Sequence, residues 1–550
     1  MSRHTLLLCA AVVSAAQQVE PVYRAGTQLV QIDVVAQTDK GPIKGLTKDD
    51  FTIQDKGKPQ TIAVFAMNER GADTGKATPL PAGVGSNRIG SSGQRAKTAT
   101  VILFDRINIL EPQTSSTSAS SSNSGGALSG LGMGAQARAG RQVLGLLASL
   151  KGPEKVALYS LFQDLTVVRD FTEDSAPLIE AARRAIASPQ KTGVTPAEQV
   201  LDAKLRDALT PGHPLDRSVR AEITQNAFRE IARRMDGADG RKTLIWITSN
   251  FPLTYGDDAN RRTESEAEVN KAASVFSEAN IAVYSIDPRG AGTAFSESNN
   301  SANSDASSGG GKGGKGGGKG MTQLDSATTQ NAGSLSGPES MESIARETGG
   351  KSFTNVNDIG PPMREAIDSA EVSYTLGFYV DDKALDGKKH DLSVKLSKKA
   401  ETSGAKISYR KSYLAAAHRE YPQINELVAD RLDANRIGVM AAAAPATNRP
   451  GIDAVQVRVD LKDLQFEKHA DKWFTSFDLA LAIESAGEPR VSVSPNNLSL
   501  SDDQLRQGLA GGVTIDNTVP APDKAATLRI VIQDKATGEA GSVRIPLPGK

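Results

Sequence analysis

The stretch Thr98–Leu110, TATVILFDRINIL, decides how the rest of the chain is read. Its first half is apolar without alternation, the pattern of a strand buried on both faces, and the run stops at Asp105. A strand buried on both faces needs helices on both sides of its sheet, so strand and helix periods should alternate in the sequence around it. Asp105 also poses a chemical question: whether it holds a metal or only stands where one would be held.

Three further runs share the pattern: KVALYSLF (Lys155–Phe162), TLIWIT (Thr243–Thr248) and IAVYSID (Ile281–Asp287). Helical periodicity fills the gaps, in ARAGRQVLGLLASL, SAPLIEAARRAIAS, VRAEITQNAFREIARRM and EAEVNKAASVFSEA. The alternation predicts a doubly wound parallel α/β sheet. A further helix and short strand in SMESIARETGGKSFTNV, then the helix PPMREAIDSA, extend this domain over residues 98–370. Residues 113–137 and 296–338 are Ser- and Gly-rich and are expected to be disordered inserts. The GGGKGGKGGGKG in the second is no phosphate loop, because no Lys is followed by Ser or Thr and no strand feeds it.

Working outward, residues 27–66 alternate in short runs broken by TDKG and QDKGK, which predicts the first part of a β-sandwich module. Residues 67–97, rich in Gly, Pro, Thr and Ser, are expected to be a linker. Residues 371–415 alternate again (VSYTLGFYVDD, KHDLSVKLSK, AKISYRKSY) and should complete that module, making the sheet domain an insertion within it. Residues 416–451 suggest a weak helix and a linker, and residues 452–550 a C-terminal β-sandwich.

At the amino end, MSRHTLLLCAAVVSAAQQ has a short basic start, an apolar run and small residues at cleavage spacing, which predicts a signal peptide over residues 1–16. Cys9, the single cysteine, falls within it, so the mature chain should carry no thiol, disulfide or cysteine-bound zinc. The mature chain offers no transmembrane span. The 550 residues call for several domains. Lys plus Arg and Asp plus Glu both number 64, with neither sign concentrated in one half, which argues against a nucleic-acid partner.

The order TVILFD, KVALYSLFQDLTVVRDF, RKTLIWITSNFP, FSEANIAVYSIDPRG, IARETGGKSF and SYTLGFYV resembles a von Willebrand factor A domain. With GPIKGLTKDDFTIQDKGKPQTIAVF before it and LGFYVDDKALDGKKHDLSVKL to ISYRKSYLA after it, the chain resembles the secreted von Willebrand factor A-related family of acidobacteria over residues 27–415. The resemblance implies a metal-ion-dependent adhesion site at the carboxyl ends of the strands: Asp-x-Ser-x-Ser after the first strand, a Thr in a second loop, an Asp after the fourth. Asp105 matches the first aspartate, Ile107 and Ile109 stand where the serines would be, Ser249 or Asn250 where the last aspartate would be, and Thr195 could supply the threonine.

A hard cation wants about six oxygens. Asp105, Asn108, Thr195 and Ser249 would hold Mg²⁺ or Ca²⁺ weakly if at all, so the metal site is expected to be degenerate and no cofactor is expected. Asp287 lies two strands from Asp105, roughly 10 Å at the usual spacing of about 4.8 Å, too far to share an ion. The plainer reading is that Asp105 and Asp287 satisfy N–H groups of their own loops. Asp105, Asn108, Thr195, Ser249, Asn250 and Asp287 together form the candidate partner-binding face.

No HExxH or G-x-S-x-G occurs, and the histidines His213, His390, His418 and His469 fall at no ligand spacing. The expected function is therefore an exported, non-enzymatic protein-binding or scaffold protein with an unidentified protein partner, in the periplasm, at the cell surface or outside the cell. An envelope hydrolase with a site at the sheet's carboxyl ends, or a purely structural envelope component, is the alternative.

Overall fold

The computed structural model describes residues 27–39, 41–69, 80–81, 83–89, 95–96, 98–109, 135–150, 155–172, 174–187, 216–253, 262–290, 337–398, 404–415, 421–446, 449–484 and 489–547. The signal peptide expected over 1–16, most of both expected inserts, and Thr195 lie outside these residues.

The central sheet has six strands: β7 (Ala99–Asp105), β8 (Val156–Leu161), β9 (Leu165–Thr172), β10 (Lys242–Ile247), β11 (Ile281–Ile286) and β12 (Lys351–Phe353). Their order is β12-β11-β10-β7-β8-β9, parallel except for β9, which turns back antiparallel on β8. Six residues of β10 and six of β11 are all buried, as the unbroken apolar runs require. Helices α1 (Ala135–Ser149), α2 (Ser175–Ala187), α3 (Asp216–Met235), α4 (Arg262–Glu278), α5 (Gly337–Glu347) and α6 (Gly360–Asp368) cover it. One face packs Val101, Leu103, Leu244 and Trp246 against Phe228 of α3 and Phe276 of α4; the other packs Ile102, Ile245 and Ile247 against α1 and α6. Phe228 meets the Trp246 ring edge-on at 5.1 Å, a contact worth about 1 kcal/mol beyond area burial.

Two four- or five-stranded sheets, from segments on either side of the parallel sheet, share one core. The first runs β15 (Lys406–Ser408), β1 (Thr27–Thr38), β13 (Val372–Asp381), β5 (Val64–Glu69), with β2 (Gly41–Pro42) beside β1; the second runs β16 (Ser412–Ala415), β14 (Lys388–Leu396), β3 (Phe51–Asp55), β4 (Lys58–Gln60). Ile32, Phe51, Tyr374, Phe378, Val394 and Tyr413 meet between them. Antiparallel pairing of β1 with β13, from Thr27↔Asp381 to Val34↔Tyr374, sets the segments flanking the parallel sheet side by side.

The C-terminal region also packs two sheets, β22 (Val513–Pro520), β18 (Ile452–Val459), β17 (Val439–Pro445), β6 (Val84–Ser86), and β19 (Glu467–His469), β20 (Lys472–Glu484), β23 (Ala526–Asp534), β24 (Ala540–Leu547), with β21 (Arg490–Leu500) on the far side of β20. Helices α7 (Ile424–Ala429) and α8 (Asp502–Gly511) complete it. Three expectations are corrected here. The linker expected over 67–97 contains β6, which pairs with β17, and Asn87, Arg88 and Ile89 are buried. The linker expected within residues 416–451 contains β17. The inserts expected to end at 137 and 338 stop earlier, since α1 begins at Ala135 and α5 at Gly337.

A polar seam joins the parallel sheet to the C-terminal sandwich. The Asn87 carboxamide donates to Ala434 O and Ile437 O at 2.7 Å each and accepts from Val439 N at 2.8 Å, leaving none of its polar atoms unmet. Arg88 and Arg95 both pair with Asp463, which also accepts from Gly438 N at 2.8 Å. Arg233 grips Asp430 through two bonds of 2.9 and 2.8 Å, and Arg234 pairs with Asp170 while donating to Asn87 O. Burial acts against the charge of Asp463, but Arg95 and Arg88 outweigh it and hold its carboxyl below the usual range.

Candidate site at the strand ends

Strand β7 delivers Asp105 to the carboxyl edge of the sheet, fully buried, and the chain turns at once. Arg106 N donates to Leu161 O at 2.8 Å and Ile107 N to the same carbonyl at 3.2 Å, so the turn is tied to the end of β8. The two isoleucines then take opposite sides: Ile107 joins the core on one face and Ile109 the core on the other. Where an oxygen-bearing pair would reach a cation, this chain plants two apolar anchors.

The Asp105 carboxylate receives N–H groups. Asn108 N approaches Oδ1 at 3.3 Å, closing an Asx-type turn, while Asn108 Nδ2 at 2.9 Å and Trp246 Nε1 at 2.8 Å both donate to Oδ2. Asn108 Nδ2 also reaches Thr224 Oγ1 on α3 at 2.9 Å, and Asn108 O accepts from Ser249 Oγ at 2.7 Å. The guanidinium of Arg220, on α3, donates to Ile107 O. Burial raises the Asp105 carboxyl from its ordinary value to about 6, although Asn108, Trp246 and Thr248 all pull it down.

Asp287, directly after β11, has a different solution. Arg289 N donates to its Oδ1 at 2.9 Å, and the Arg289 guanidinium holds both carboxylate oxygens at 2.9 to 3.2 Å. The same guanidinium reaches Ser249 O at 3.4 Å, so Asp287 is linked to the Asp105 cluster through Arg289 and not by direct contact. Asn250 follows Ser249 and is held by Thr248, whose Oγ1 donates to Asn250 O at 2.9 Å. The structure thus gathers Asp105, Asn108 and Ser249 tightly and sets Asn250 and Asp287 at the margin.

Sequence reasoning missed Trp246, Thr224, Arg220 and Arg289. Trp246 was legible in principle: a tryptophan inside a fully buried strand carries an N–H that needs an acceptor, and the neighbouring strand ends in an aspartate. Around the edge, Arg138 donates to Pro288 O and Arg289 O at 3.1 and 2.7 Å, and Arg106 lies 5.4 Å from the ring of Phe162, a half-exposed side chain. Burial lowers Arg106, which has no carboxylate partner among the described residues.

Elsewhere, His390 is buried with Nδ1 3.1 Å from Asp55 Oδ1 and from Tyr413 Oη, and Nε2 3.0 Å from Asp386 Oδ1. Tyr413 in turn donates to Asp55 Oδ2 at 2.9 Å, so this network knits β3, β14 and β16. Among the described residues no group of three or more His, Cys, Asp or Glu is placed to hold a metal ion, and no helix is long and apolar enough to cross a membrane.

No protein-family model matches the chain, and no curated protein matches it. Among solved structures, an aerotolerance-related membrane protein from Bacteroides fragilis is similar over 49% of this chain and 98% of its own, at 14% identity and TM-score 0.24. A von Willebrand factor type A protein from Catenulispora acidiphila is similar over 89% of this chain and 75% of its own, at 9% identity and TM-score 0.25. Scores this low carry no argument, and the mixed α/β architecture rests on the strand order itself.

Proposed function

We propose that this chain is an exported, non-enzymatic binding or scaffold protein whose α/β domain, of von Willebrand factor A type, is inserted in a β-sandwich module and meets a protein partner at its strand ends without a resident divalent cation. The observation that carries the reading is the direction of the hydrogen bonds at Asp105: N–H groups of Asn108 and Trp246 point at the carboxylate, where a cation would require them to turn away. Asn108 O is engaged by Ser249, and the serine positions are buried isoleucines.

The partner chemistry that suits this edge is acidic. Arg106, whose Nε donates to Gln136 Oε1 at 3.5 Å, has no carboxylate partner among the described residues, and Phe162 beside it offers an apolar face. A hydrolase would need a nucleophile beside a histidine; of the two histidines among the described residues, His390 meets two carboxylates and a phenol, and His469 meets Glu467. The test is capture of envelope proteins on the immobilised mature chain, with and without chelator, beside the Arg106→Glu variant. Capture that ignores chelator and fails with Arg106→Glu supports the reading; capture abolished by chelator overturns it.

A further inference from the structure

The parallel sheet and the β-sandwich module meet along a cleft of 410 Å³, walled by α5, by β12 and by the chain from Ile407 to Lys411. The walls touch at one end. A Cβ on Gly349, where φ is +77°, would lie 2.4 Å from the Tyr409 carbonyl carbon, and Lys411 N donates to Glu347 O at 3.1 Å. The volume is that of a small-ligand pocket, and the place, between two domains, is where such pockets form.

Main-chain groups from two strand edges face this cleft. Among the described residues β12 pairs only with β11, and β15 only with β1. Successive residues of a strand turn their N–H and C=O groups to opposite sides. Phe353 O accepts from Asp287 N, just past β11, at 2.9 Å, so Ser352 aims its own N–H and C=O away from β11. Ile407 stands opposite Ala36 on one side of β1, and Ala36 O accepts from Ile43 N at 2.8 Å on the other, so Ile407 also turns its groups away from β1. Ser352 and Ile407 both line the cleft.

Charge is graded along the same cleft. Glu339 and Glu342 line it in the first half of α5, and Arg346 lines it in the last turn, where Lys411 joins with its ammonium 3.6 Å from the centre of the Tyr409 ring. The carboxylates of Glu347 and Glu365 are taken by Lys389 and Lys351, and Glu342, Arg346 and Lys411 have no ionic partner among the described residues. From Glu339 to Arg346 the helix rises about 10 Å, the length of about three extended residues. We propose that the cleft binds a free peptide of about three residues, its ammonium at Glu339 and Glu342, its carboxylate at Arg346 and Lys411, and its main chain bonded to Ser352 and Ile407. A segment inside a longer chain would bring no terminal charges, and a single amino acid could not span the two ends.

The test is a ligand-observed NMR titration of the full chain with trialanine. A dissociation constant of about 1 mM or tighter is expected, weakened about tenfold or more by N-acetylation, by carboxyl amidation or by shortening to alanine. Arg346→Glu should impose a similar loss, and the thermal midpoint should stay in place because the side chain is exposed. Glu342→Lys, also on an exposed side chain, should weaken trialanine but not N-acetyltrialanine, a split that a damaged fold would not produce. No binding up to about 10 mM trialanine, or binding indifferent to both caps and to both substitutions, overturns the proposal.

Discussion

Buried carboxylates are handled in two ways in this molecule. At the strand ends, Asp105 is surrounded by neutral donors from Asn108 and Trp246, and burial raises its carboxyl to about 6. At the seam with the C-terminal sandwich, Asp463 faces two guanidinium groups and its carboxyl is lowered. Neutral donors satisfy geometry without offsetting the loss of water around a charge; a paired arginine does both. The seam is thus tuned for a charged pair and the strand-end cluster for a site that tolerates neutrality.

The largest effect should come from breaking the seam. Asp463→Ala leaves the buried Arg88 guanidinium with only the half-exposed Asp460, and a stability loss of about 3–5 kcal/mol is expected in urea unfolding. A loss under about 1 kcal/mol would show that the pairing is dispensable. Next is Asn87→Ala, which strands Ile437 O and Val439 N and leaves Ala434 O with Ser542 N alone, for an expected loss of about 2–4 kcal/mol by the same measurement. Asn87→Asp should be no better, because a carboxylate cannot donate to the two carbonyls.

The strand-end cluster predicts a pH profile of opposite sign. With the folded Asp105 carboxyl raised from 3.8 to about 6, the folded state holds a proton that the unfolded chain has released, so stability falls as pH rises from about 4 through about 6. The full effect is on the order of 3 kcal/mol. Asp105→Asn, which imitates the neutral form, should remove that share of the slope, while the buried Asp33, also raised by burial, keeps its own. An unchanged slope in chemical unfolding across this range would break the comparison. The smallest effect is expected from metal: millimolar Mg²⁺, Ca²⁺ or Mn²⁺ should hardly move the thermal midpoint of wild type or of Asp105→Ala, and a wild-type rise that Asp105→Ala abolishes would restore a bound cation.

The parallel strands were legible because burial on both faces writes itself as an unbroken apolar run, as in TLIWIT and IAVYSI. β6 and β17 were not. VGS and VMAAAAP are small-residue segments whose composition matches a loop, and their strand character comes from tertiary contact. At Gly85 a Cβ would lie 2.7 Å from Ile545 Cγ2 and 3.0 Å from Arg544 O, so glycine lets β6 press onto β24. Of the site, the apolar replacements Ile107 and Ile109 were visible in the motif. Beyond the local Asn108, the groups that close around Asp105 come from more than a hundred residues away: Trp246 of β10 donates to the carboxylate and Thr224 of α3 accepts from Asn108, and only the fold brings them there.

The pairing of β6 with β17 also orders events in time. Val84 emerges from the ribosome long before its partner Ala442, and at about 5–20 residues per second that interval is on the order of tens of seconds. During it the parallel sheet can form, but the side chains of Asn87 and Arg88 lack the partners they meet in the finished molecule. A nascent chain halted after the central domain is complete but short of residue 439 would carry that domain with a raw polar flank, a handle by which quality control could tell unfinished molecules from finished ones.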